Sequence, residues 1–150
     1  MNGNWLEAMK AAISEVLETM YFTEVSFRDV TPGAEAFEGW RARIEVNRAD
    51  GNQAVTLALW LRSGFAKELA GNLLALDAQE VRPEDVKDAM GELANMVAGS
   101  WINQLGPDAW RLGLPDAGPV ECPVSGTDNA SQMFSYGEPV GFAAVDPTGP

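Results

Sequence analysis

The sequence predicts an α+β domain in which two long helices lie on one face of a largely antiparallel sheet, with an approximate internal twofold repeat. Three observations carry this. Apolar residues recur at helical spacing over two long stretches, 5–20 and about 84–105. Each stretch is followed by several segments of period-two alternation. Glu15 and Glu92, 92 − 15 = 77 residues apart, hold the same phase against the apolar stripes of their helices.

In the first helix Trp5, Leu6, Met9, Ile13, Val16, Leu17 and Met20 share a side, leaving Ala8, Ala11, Glu15 and Glu18 outward. Strands follow over Glu24–Val30, over Phe37–Val46, where Trp40, Ala42, Ile44 and Val46 alternate with charged neighbours, and over Gln53–Leu61. Asp50-Gly51-Asn52 is a hairpin turn between the last two. A shorter helix begins at Ser63 or Gly64 and runs through Phe65, Leu69, Leu73 and Leu74. Arg82-Pro83-Glu84-Asp85 opens the second long helix, because proline is pre-set for a first turn and acids there meet the positive end of the helix dipole. Beyond Gly106-Pro107 strands are expected over Trp110–Leu114, Val120–Ser125, Ser131–Tyr136 and Val140–Val145. Pro115, Pro119 and Pro123 demote parts of this half to edge strand or loop, and a loose tail is expected from about Asp146. Trp5, Trp40, Trp60, Trp101 and Trp110 sit at core phases of separate elements.

Length and composition narrow the function. The 150 residues fit one domain, 1–150, large enough to bury roughly 70% of the unfolded surface. No apolar run reaches a membrane span and Met1-Asn2-Gly3-Asn4 lacks the features of a signal peptide, so a cytoplasmic protein is expected. Cys122 is alone, with no base beside it, and reads as an inert thiol. The absence of histidine excludes Ser-His-Asp and Cys-His catalysis and every His-ligated metal. Glu80, Glu84, Asp85 and Asp88 follow no calcium-loop spacing, and no cofactor or metal held by this chain is expected. A formal charge of −12 opposes binding to nucleic acid or to an anionic membrane. A protein partner is the better expectation.

The candidate site is the outward face of the second long helix. At about 100° per residue, Asp85, Asp88, Asn95, Gly99 and Asn103 fall close to Glu92, while Val86, Met90, Leu93, Val97, Trp101 and Leu105 take the opposite side. Gly91 and Gly99 border the polar set, and each costs about 1 kcal/mol against alanine inside a helix. A partner's backbone could approach closely there.

Asp88, Glu92 and Asn95, with the surrounding Gly91-Glu92-Leu93-Ala94-Asn95-Met96-Val97-Ala98-Gly99, resemble the helix signature of the CheC, CheX and FliY chemotaxis phosphatases. Ile13 to Met20 in the first helix is similar to that family too, and the order of elements is nearest the CheX branch. The resemblance implies a CheC-like fold, a CheX-like domain, and hydrolysis of the aspartyl phosphate of a CheY-like receiver. It implies that Asn95 orients the attacking water and Glu92 pairs with the receiver's lysine, while the receiver brings the phosphoaspartate and its Mg2+. Asp88, Glu92, Asn95 and Gly99 are then the partner-binding set. In the first helix Ala11 replaces the acid, Glu15 matches, and Glu18 stands where asparagine is needed, so Glu15 and Glu18 form a degenerate second copy. A carboxylate there would repel the phosphoryl group. The CheX branch is dimeric, and an outer strand from the third or the last strand segment is expected to offer the pairing edge. The alternatives are a non-catalytic module that docks a receiver or a flagellar switch component, and a structural assembly protein.

Overall fold

The computed structural model describes residues 3–29, 37–122 and 130–148. In chain order these form α1 (Gly3–Met20), β1 (Ser26–Asp29), β2 (Phe37–Arg48), β3 (Ala54–Arg62), α2 (Ser63–Leu74), α3 (Pro83–Leu105), β4 (Trp110–Cys122), β5 (Ala130–Ser135) and β6 (Glu138–Thr148). The six strands make one sheet in the order β1-β5-β6-β3-β2-β4, and every neighbouring pair is antiparallel. Exchanging β1 with β4, β2 with β5 and β3 with β6 returns the same order read backwards. The expected repeat is therefore present in the topology: an α-β-β-β unit occurs twice, and the halves meet where β3 pairs with β6.

One core joins the helices to the sheet. Ala42, Ile44 and Val46 of β2 and Val55, Leu57, Leu59 and Leu61 of β3 pack with Met9, Ile13 and Leu17 of α1 and with Met90, Leu93, Val97 and Trp101 of α3. The period of two in the strands and the 3.6-residue stripe of the helices meet on this side. Trp5, Trp101 and Trp110 interlock edge to face, with ring centroids 6.2, 6.0 and 5.1 Å apart, and Trp101 Nε1 donates to the Trp5 carbonyl at 3.0 Å. Trp60 departs from the expectation. It lies between the core-facing Leu59 and Leu61 and so points to the opposite face of β3, half-buried.

The ends of elements hold the other corrections. Ala8, expected outward, is buried, and its carbonyl accepts from Gln104 Nε2 of α3 at 3.3 Å. Met20, expected inward, is 50% exposed, because the chain leaves the helix there and Tyr21 takes the core position instead. Phe22, at φ 54°, makes the turn. β1 is shorter than expected, and Val30 and Ser125 lie outside the described residues. The two strands expected around Pro115 and Pro119 are one continuous strand, β4, which among the described residues pairs only with β2. An edge strand tolerates prolines because its outer side has no ladder to break. The tail expected to be loose from Asp146 continues β6 to Thr148, with Asp146 opposite Thr56 and Pro147 opposite Val55. The third and last strand segments, expected at an edge, are the two central strands; the outer strands of this sheet are β1 and β4.

Candidate functional site

α3 begins as its sequence dictates. Pro83 occupies the first turn, and Asp85 Oδ2 accepts the Arg82 N–H at 2.9 Å, satisfying a donor that the helix leaves free. From this start the stripe of Val86, Met90, Leu93, Val97 and Trp101 is buried. Asp88 and Glu92 are then exposed and Asn95 is half-buried, as their phase requires. Asn95 is not walled into the core; it borders a groove of about 510 Å³.

Lys87, Asp88, Gly91, Glu92 and Asn95 form one side of this groove, and Gly113, Leu114, Pro115 and Ala117 of β4 form the other. Gly99 is half-buried on the same helix but does not line it. The wall arises from a bulge. Between the pairs Val46–Leu112 and Ile44–Pro115, β4 advances one residue more than β2. At Gly113 a Cβ would stand 2.5 Å from the Glu45 carbonyl oxygen, so only glycine lets the two backbones approach this closely. The adjacent Leu114 is thrown outward and is 90% exposed beside the charged ridge of α3. The expected strand Trp110–Leu114 did not by itself connect Gly113 and Leu114 to the helix; the available signal was a glycine interrupting an alternating strand. Gly113→Ala is expected to destabilise the fold by about 1–3 kcal/mol, because the backbones must separate. Urea unfolding of the two proteins measures this, and an unchanged midpoint would contradict the close approach.

Tyr21 is buried, its hydroxyl without a hydrogen-bond partner among the described residues, and its phenol is pushed up to about 12, first by desolvation and then by the negative charge of Glu92. Among the described residues no group of three or more Cys, Asp or Glu side chains is placed to hold a metal ion. Among the described residues, no helix is long and apolar enough to cross a membrane.

The corresponding face of α1 differs. Ala11, Glu15 and Glu18 are all exposed, so the outward phase was read correctly. The exchange that maps α3 onto α1 maps the 13-residue β4 onto the four-residue β1. Among the described residues, nothing of comparable length stands beside Glu15 and Glu18 as β4 stands beside Glu92.

Element order and sheet topology together define an α+β fold of the CheC-like kind. A CheC-like superfamily protein from Shewanella sp. PV-4 matches with a TM-score of 0.73 at 18% identity, over 99% of this chain and 100% of its own. The sequence also matches the family model described as chemotaxis phosphatase CheX over residues 46–117, a stretch that holds Asp88, Glu92, Asn95 and the bulged wall. The chemotaxis protein CheX from Vibrio vulnificus has a TM-score of 0.76 at 17% identity, over 97% of this chain and 100% of its own. A chain of the CheX-CheY-BeF3-Mg2+ complex from Borrelia burgdorferi has a TM-score of 0.66 at 14% identity, over 97% and 98%. No curated protein matches by sequence. The resemblance to the CheC, CheX and FliY family, with CheX as the branch the family model names, thus stands on sequence and on fold alike.

Proposed function

We propose that the protein accelerates hydrolysis of the aspartyl phosphate of a CheY-like receiver, with Asn95 orienting the attacking water and Glu92 anchoring the receiver. One observation carries the reading: Glu92 is exposed and Asn95 half-buried on the same helix side, both lining one open groove. The match to a chain from a complex containing CheX, CheY and Mg2+ supports a receiver as the partner. An acyl phosphate is already activated. Its transfer to water depends on placing the nucleophile in line and on stabilising charge, work that needs no base on this chain. An amide offers one donor group and one acceptor, so Asn95 can hold a water with one while the other is fixed by its surroundings. Asp88, one turn earlier, completes the docking face. The Mg2+ belongs to the receiver.

Loss of phosphate from a phosphorylated receiver, followed with and without the protein, tests this proposal. Faster decay is the expected result, and identical decay for a receiver that demonstrably binds would remove the enzyme reading. A non-catalytic docking module is the competing function, favoured by α1, which keeps the fold without the amide. Reversing the anchor separates docking from chemistry. Glu92→Lys is expected to weaken receiver binding by about tenfold or more, through a like-charge contact with the receiver's lysine, with a smaller change in turnover at saturation. Titration by calorimetry checks it, and unchanged affinity would release Glu92 from the anchoring role.

We further propose a cytoplasmic homodimer. Its pairing edge would be an outer strand of the sheet, which sedimentation of the intact protein would test through its mass.

A further inference from the structure

The groove wall that faces the charged ridge of α3 is apolar along its length. Leu112, Pro115 and Ala117 of β4 stand opposite Val46, Ile44 and Ala42 of β2, which face the core, so these three lie on the helix side of the sheet, and the bulge adds Leu114. Leu112 is 45% and Leu114 90% exposed, Pro115 is exposed and Ala117 half-buried. One exposed leucine is ordinary on a protein surface, but a continuous apolar strip rimmed by charge marks an interaction site. The strip is poorly suited to a second strand. Proline cannot donate into the β2–β4 ladder, so the backbone positions of Pro115 and Pro119, which alternate in phase with Ala117, face the outer edge. Of these three, only Ala117 keeps an N–H to offer there. The side-chain surface of another protein covers such a strip better than the backbone of a second copy.

We propose that Leu114 is a specificity-determining residue: with Pro115 and Ala117 it receives an apolar side chain of the receiver while Glu92 and Asn95, across the groove, meet its polar groups. The inference rests on the docking role given to Glu92 above. A typical interface covers about 800 Å² of each partner, a patch roughly 30 Å across, so a domain seated on one wall of the groove also covers the other. The bulge presents the leucine at a fixed place, because Gly113 holds the strand against the Glu45 carbonyl, and little backbone freedom is left to lose on binding. A receiver with an apolar group at this point sheds water from both surfaces. One with a charged or polar group there buries it without a partner, a penalty that the charged ridge does not offset.

Leu114→Ser removes the apolar contact without adding charge. Thermal unfolding should show an unchanged midpoint, since the side chain is 90% exposed. Affinity for a beryllofluoride-activated CheY-like receiver should fall about tenfold, with turnover at saturation within about threefold of the wild type. Leu114→Met, which keeps the apolar bulk, should retain most of the affinity. The loss for Leu114→Ser should persist at high salt while that for Glu92→Lys shrinks, because only the charged contact is screened. A lowered midpoint together with weaker binding would assign the leucine to the fold and overturn the inference. So would a loss of self-association in sedimentation with receiver affinity unchanged, which would give the strip to a second copy. If Glu92→Lys weakens binding while Leu114→Ser does not, the inference alone fails; if the wild type binds no receiver, the docking role fails with it.

Discussion

Asn95→Ala should lower the acceleration of receiver dephosphorylation by about 10² to 10³, while receiver affinity changes by less than about threefold. The asymmetry follows from where the side chain sits. Asn95 is half-buried at the rim of the groove, so its removal takes away little contact area but all of its capacity to hold a water. Its helix is fixed by a buried stripe that the substitution does not touch, and alanine is the best helix former, so the fold should be unaffected. Single-turnover decay of the labelled receiver at saturating protein gives the rate, and calorimetry gives the affinity. A parallel loss of both would make Asn95 a docking residue and leave the chemistry without a water-positioning group.

Trp101→Ala should remove about 3–5 kcal/mol of stability, a large share of the ~5–15 kcal/mol that holds a typical domain folded. Trp101 is 0% exposed, stacks edge to face on Trp5 and Trp110, and ties α3 to the start of α1 through its indole N–H. Truncation leaves a cavity where α1, α3 and β4 converge, and it removes the indole hydrogen bond to the Trp5 carbonyl. Trp101→Phe, which refills most of the volume, should cost appreciably less. Urea denaturation with both variants measures the difference, and a small effect for alanine would mean that the cluster can collapse to fill the space.

What the sequence disclosed follows the range of each force. The phase of α3 was legible because an amphipathic stripe of this length has one way to bury itself, and it places Glu92 and Asn95 outward whatever they later meet. The twofold was legible for the same reason, from two stripes in equal phase. Ala8 and Met20 were misplaced because, near a helix end, the neighbouring element decides what is covered, and alanine fits where helices come close. β4 was divided because proline forbids only a two-sided ladder, and its edge position is a property of the whole sheet. Leu114 was invisible as a wall. Its outward turn depends on Glu45, nearly seventy positions earlier, lying against Gly113 across a bulge. The solitary Tyr21 hydroxyl was equally hidden, since pairing is settled only by three-dimensional neighbours.

The unequal outer strands have a further consequence. Among the described residues, the groove at α3 has two sides, helix and 13-residue strand, whereas the strand that the twofold sets in the same place for α1 has four residues. On the docking role proposed for Glu92, occupancy should climb hyperbolically to one receiver per chain. Restoring the missing amide at Glu18 would not by itself raise that stoichiometry to two.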